Sequence, residues 1–134
     1  ECAVVRLLPR NRGIVNINRI GLSEAHRMVM DRLLDLPHGM IIITGPTGSG
    51  KTTSLAAALT VLNQPQKKIL TIEDPIEYDI AGICQSQVKP EIGFTFATAL
   101  RSFVRQDPDI IMARVNYKRT PVLMDKILKN TIDV

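Results

Sequence analysis

The run Met40-Ile41-Ile42-Ile43 is followed almost at once by Gly45-Pro46-Thr47-Gly48-Ser49-Gly50-Lys51-Thr52. The apolar run predicts a strand, Met40 to Thr44, and the octapeptide fits G-x-x-x-x-G-K-[ST] at every fixed position. Apolar residues Leu55, Ala58, Leu59 and Leu62 then predict a helix from Lys51 to about Leu62. Strand, glycine-rich loop and helix in that order commit the chain to an α/β fold.

The loop's residue types dictate its chemistry. Glycines reach positive φ at little cost, so the backbone can wrap a polyphosphate with its N–H groups inward. Lys51 adds a point charge for the β/γ-phosphates, and the helix N-terminus places partial positive charge on the same anion. The Thr52 hydroxyl suits Mg²⁺. Gly45, Pro46, Thr47, Gly48, Ser49, Gly50, Lys51 and Thr52 are therefore the expected residues of a nucleotide's phosphate site, with Thr52 suited to the metal, while Thr53 and Ser54 suit solvated first-turn positions.

The remaining pattern extends the alternation. Ser23 is an N-cap candidate for a helix from Glu24 to Leu36, with Ala25, Met28, Val29, Leu33 and Leu36 at helical spacing and a stop at Pro37. Lys68 to Ile72 predicts a short strand, and Ala81 to Ile92 a pair of short strands or a loop. A helix is expected from about Thr95 to Arg105, then a buried strand, Ile110 to Ala113. Ala3 to Leu8 also predicts a strand, and Thr120-Pro121 opens a final helix bearing Val122, Leu123, Ile127 and Leu128. Such alternation implies a parallel sheet with ligands at the carboxyl ends of its strands. The phosphate loop lies at one such end, and Glu73-Asp74-Pro75-Ile76-Glu77 at the next, so the two are expected to converge. Acids opposite a phosphate loop can order a metal's water or accept its proton. Equally, Asp74-Pro75 can be a turn flanked by solvated glutamates.

Length and charge narrow the alternatives. The 134 residues suffice for one domain. The net charge of +4 is dispersed and aromatic content is 4%, which argues against nucleic-acid binding. Cys2 and Cys84 are too few for a disulfide framework or a four-ligand zinc site, which suits a reducing cytoplasm. No apolar run approaches the ~18 residues of a membrane span, so any membrane association is expected to be peripheral.

Four separated strings, "HGMIIITGPTGSGKTTSLAAAL", "ILTIEDPIEY", "GFTFATALRS" and "VRQDPDIIM", together resemble the bacterial ATPases of type II secretion and type IV pilus assembly. The opening "VVRLLPR" and "IGL" are similar to the segment that leads into that family's motor domain. The likeness runs from about Ala3 to Met112, and "RQDPDII" is closer to the assembly and secretion members than to the retraction members. It implies a P-loop NTPase with a RecA-like, mostly parallel sheet, incomplete at its C-terminal end. Residues 1–22 would close a preceding domain and connector, 23–113 would form the nucleotide-binding core, and 114–134 a helical tail foreign to the family. The resemblance further implies ATP and Mg²⁺ as cofactors, held by Gly45 to Thr53 with Thr53 included, and a homo-hexamer. That hexamer would sit at the cytoplasmic face of the inner membrane, bound to platform proteins and coupling hydrolysis to pseudopilin or pilin assembly. Lys51, Glu73, Asp74 and Glu77 would be the catalytic residues, the three acids matching the family's aspartate box.

Several residues stand outside these assignments. Arg6 resembles a strand arginine that the family turns towards a neighbouring subunit, or is a surface residue. Asp107 and Asp109, at the start of their strand, suit a turn and cap better than metal ligation. His26 and His38 suit helix-surface and turn positions.

The likeness stops at Arg114. Where the family's strand continues through glycine to a catalytic glutamate, this chain has Arg114 and Val115, and valine can neither order water nor accept a proton. A degenerate or truncated module that binds ATP without hydrolysing it is therefore the alternative function. A structural fragment without a working pocket is the third. Without a covering tail, the strand at Ile110 is expected to be an exposed sheet edge.

Overall fold

The computed structural model describes residues 15–115, together with Ala3. Expectations for the opening strand beyond Ala3, for Arg6, and for the helix after Thr120 fall outside the described residues. Within them the chain divides into two compact units: one runs to Lys67 and includes Glu77–Gly82, the other comprises Lys68–Ile76 and the chain from Ile83 onward.

The first unit is helical. A 3₁₀ turn, Ile17–Arg19, precedes α1 (Glu24–Leu34) and α2 (Lys51–Leu62). Ser23 caps α1 through its hydroxyl, which accepts from His26 N at 3.3 Å, so the expected start is met. The exposed His26 ring also bonds the Ser23 hydroxyl. Ile17, Leu34, Ala57 and Ala58 form the core here, with Met30 and Leu62 packed against it. The small alanines let α2 lie close to its neighbours.

The buried face of α1 differs from the expected one. Met28, Val29, Leu33 and Leu36 are exposed, and the i, i+4 pair Met30 and Leu34 meets the core instead. A wide apolar stripe tells which side of a helix is sticky; the chain that covers it decides which part is buried.

The expected strand Met40–Thr44 is not formed. A strand exists through ladder bonds to a neighbour, and among the described residues none pairs with this segment. Met40 and Ile42 are 66% and 63% exposed. The apolar character that predicted the strand is real, but its pairing partner is missing from the described sheet.

The second unit holds that sheet. Strand β1 (Ile69–Glu73) lies between β2 (Cys84–Gln87) and β3 (Ile110–Arg114), parallel to both. The segment expected as a strand pair or loop thus supplies one strand, β2, and a 3₁₀ turn, Pro90–Ile92. All five residues of β1 are buried. Leu70 and Ile72 project into a cluster with Phe96, Ala99 and Phe103 of α3 (Phe96–Val104), each large side chain contributing about 1.5–3 kcal/mol. The alternating side chains Thr71 and Glu73 occupy the opposite face. Strand β3, expected to be buried, alternates half-buried and exposed, as an edge strand does.

Helix α3 is defined by its capping box. The Thr95 hydroxyl accepts from Thr98 N while the Thr98 hydroxyl accepts from Thr95 N at 2.8 Å. Thr95→Ala removes half of this exchange and is expected to cost about 1 kcal/mol. A fall in the urea midpoint at unchanged slope is the readout.

Asp109 works as a cap between strands, its carboxylate accepting from Lys68 N at 2.6 Å, while Asp107 takes a left-handed backbone at φ 51°. Among the described residues no helix is long and apolar enough to cross a membrane.

Candidate nucleotide loop and acidic strand end

The phosphate loop belongs to the first unit. Gly48 and Gly50 sit at φ 81° and 87°, conformations that side chains with a Cβ disfavour. Gly50 is also the N-cap of α2 and provides no side-chain bond to it, so the first-turn N–H groups keep their donor capacity for an anion. The Lys51 ammonium folds back over the loop, donating to Gly45 O at 2.7 Å and Pro46 O at 2.6 Å. These two carbonyls hold the cation above the same turn that presents the amides. A cradle of glycine backbone, fixed ammonium and uncapped helix N-terminus fits a polyphosphate.

Gly45 has a further steric role. A Cβ there would stand 2.8 Å from Ser49 Oγ, so the serine hydroxyl would have to turn away, and the φ of 153° strains any residue but glycine. Ser49 N bonds Pro46 O at 3.3 Å inside the turn. Thr52 is half-buried on the first turn of α2. The Thr53 hydroxyl pairs with the Tyr78 hydroxyl at 3.1 Å, a contact the sequence reading missed.

The acidic segment is divided between the units. Glu77 belongs to the first and is half-buried. Glu73 and Asp74 belong to the second, and Glu73 is 3% exposed, unlike the solvated glutamate that one reading of the segment allowed. Its Oε1 accepts from Thr71 Oγ1 and from Gln85 Nε2, each at 2.9 Å. Its Oε2 pairs with Arg114 Nε at 3.4 Å, with the Arg114 side chain only 12% exposed. Arg114 Nη2 also donates to Pro75 O, and Ile76 N donates to Gln87 Oε1 at 3.3 Å.

Strand register explains this network. Thr71 lies across from Gln85, and Glu73 across from Arg114. The i, i+2 spacing of Thr71 and Glu73 was a visible signal that both share a face. The identity of their partners depends on pairings that no local pattern contains. Val115, where the resemblance expects a glutamate, packs against the Phe96–Phe103 cluster. Among the described residues no three His, Cys, Asp or Glu side chains gather as a metal cage.

Comparison with known proteins extends these observations. The chain is 51% identical over 112 residues to a type II secretion system protein E of Pseudomonas aeruginosa, covering 84% of this chain and 22% of that protein. It is 53% identical to one from Xanthomonas campestris, covering 84% and 20%. A putative type II secretion system protein E of Escherichia coli K12 is 48% identical, with 84% and 23% covered. The chain thus spans about a fifth of the length of these relatives. Among solved structures, the pilus retraction motor PilT with bound ADP superposes with a TM-score of 0.64 at 37% identity, over 81% of this chain and 31% of that one. The parallel sheet with its helices is accordingly part of a RecA-like P-loop fold. The model of the family described as Type II/IV secretion system protein matches residues 1–113, and the chain belongs to that secretion and pilus ATPase family.

Proposed function

We propose that the chain is the ATP-binding motor segment of a secretion or pilus-assembly ATPase, which couples hydrolysis to pseudopilin assembly or protein secretion. The observation that carries this reading is the Lys51 ammonium held over a glycine loop at the uncapped N-terminus of α2. There the loop amides and Lys51 bind the β/γ-phosphates, and Thr52 ligates Mg²⁺. Bound Mg²⁺ neutralises charge that develops during phosphoryl transfer. Glu73, Asp74 and Glu77 are the acids proposed to order the metal's water or accept a proton.

Residues 23–113 are proposed as the RecA-like core, 1–22 as the end of a preceding domain and connector, and 114–134 as a tail foreign to the family. The working state is proposed to be a hexamer at the cytoplasmic face of the inner membrane, docked on platform proteins. The secretion branch is favoured by relatives named for type II secretion at about half identity, against 37% for the retraction motor.

For the chain as it stands, a second reading has its own support: binding without ordinary turnover. Val115 is packed into the apolar cluster, where it offers no group for water, and Glu73 is tied to Arg114. Steady-state turnover of ~1 s⁻¹ or more, an ordinary enzyme rate, would end that reading.

Calorimetric titration with a non-hydrolysable ATP analogue and Mg²⁺ tests the binding site itself. Saturable binding near one nucleotide per chain is expected. A folded chain that releases no heat of binding would overturn the proposal.

A further inference from the structure

Helices α1, α2 and α3 begin in two different ways. Ser23 and Thr95 close the first turns of α1 and α3 with their hydroxyls, whereas Gly50, the N-cap of α2, has no side chain to do so. The ladder of α2 starts with Ser54 N bonded to Gly50 O at 2.9 Å, so the amides of Lys51, Thr52 and Thr53 have no acceptor within it. A side-chain cap would hold such a turn but would take an amide that an anion needs. Helix α2 has a tie of another kind. The Thr53 hydroxyl meets the Tyr78 hydroxyl at 3.1 Å, and this bond uses no amide. Tyr78 lies in the segment Glu77–Gly82, which belongs to the same compact unit as the phosphate loop. That segment is held at the far end of α2 as well, where Asn63, the C-cap residue, donates to Ala81 O at 2.7 Å. A Cβ on Gly82 would stand 3.2 Å from Asn63 Oδ1, so the segment is drawn close against the helix end.

We propose that Tyr78 is a positioning residue for the phosphate site: its hydroxyl, through Thr53, fixes the first turn of α2 in place of a cap, so the turn is ordered while its amides stay available for phosphate. Thr52, one residue before Thr53, then has its hydroxyl in place for the metal, and Lys51 keeps its ammonium over Gly45 O and Pro46 O. A site ordered beforehand binds more tightly, because less of the interaction with the ligand is consumed in ordering it. This inference rests on the reading of the loop as an ATP site, but the tie itself is measurable without nucleotide.

Two measurements on the whole chain test it. Tyr78 and Tyr117 are its only tyrosines and it has no tryptophan, so in a Tyr117→Phe background the tyrosine absorption band comes from Tyr78. Adding Thr53→Val removes the hydroxyl partner and is expected to shift that band in the nucleotide-free chain; an unmoved band overturns the tie. Calorimetric titration with Mg²⁺ and a non-hydrolysable ATP analogue then reads its effect on the site. Tyr78→Phe, which keeps the ring and loses the hydroxyl, is expected to weaken binding about five- to tenfold. Thr53→Val should weaken it by the same factor and the pair together no further, since both cut one bond. Thr53→Ser, which keeps a hydroxyl, should stay within about twofold of the parent. A tyrosine that only stabilises the fold predicts a lower urea midpoint with the folded variant's affinity within about twofold, which overturns the proposal. Additive losses overturn it too, because Thr53 would then act on the nucleotide independently of Tyr78. Should Tyr78→Phe fail to fold, Thr53→Val compared with Thr53→Ser gives the same decision. A parent chain that binds no analogue defeats the loop reading and this inference with it, whereas binding that Tyr78→Phe leaves unchanged defeats the positioning role alone.

Discussion

Lys51→Ala is expected to weaken binding of Mg²⁺ and a non-hydrolysable ATP analogue by about hundredfold or more, taking it out of calorimetric range while the chain stays folded. The ammonium is presented by Gly45 O and Pro46 O, so its place over the loop is fixed before any phosphate arrives. Truncating one partner of a desolvated charge pair costs about 2–5 kcal/mol, and 1.4 kcal/mol is tenfold in affinity. The fold has little reason to change, because the lysine's partners are carbonyls of an exposed turn. Unaltered affinity in the variant would mean that the loop does not hold the phosphates.

Arg114→Ala is expected to lower the free energy of unfolding by about 3–5 kcal/mol, the cost of leaving one charge of a buried pair alone. Glu73 would keep its bonds from Thr71 and Gln85 but lose the guanidinium that balances its charge in the sheet. For a domain whose whole stability is about 5–15 kcal/mol, that is a large share. The double variant Glu73→Gln with Arg114→Ala should cost less than the sum of the singles, since neither charge is then left buried. Urea denaturation of the four proteins measures the coupling, and simple additivity would show that the pair contributes nothing.

Much of the site was legible because its chemistry is local. The octapeptide specifies a turn, a cation and a helix start within a few residues, and α2 runs over the expected span, Lys51 to Leu62. Helix α3 was equally readable, its expected span of about Thr95 to Arg105 matching Phe96–Val104 with Thr95 as N-cap. What depended on distant chain was not. Met40–Thr44 has the composition of a strand without a partner in the described sheet, and the stripe on α1 misidentified its buried members. Arg114 marked only the end of a likeness in the sequence. Its partner Glu73 emerges from the parallel register of β1 and β3, which joins residues whose nearest sequence signals are independent of each other. The relation between the two named acids Glu73 and Glu77 was also hidden, since the contacts around them divide them between compact units.

The central strand is synthesised before either of its neighbours, which has a consequence for how the chain is made. Glu73 and Arg114 are 41 residues apart, so at about 5–20 residues per second the arginine follows roughly 2–8 s later on the ribosome. During that interval Glu73 is a carboxylate without its guanidinium, at the end of a nascent strand in which Thr71 is the other polar residue. It acts then as a gatekeeper, its charge discouraging the strand from pairing with other chains. Arrival of Arg114 retires that guard by turning it into the closing contact of the sheet.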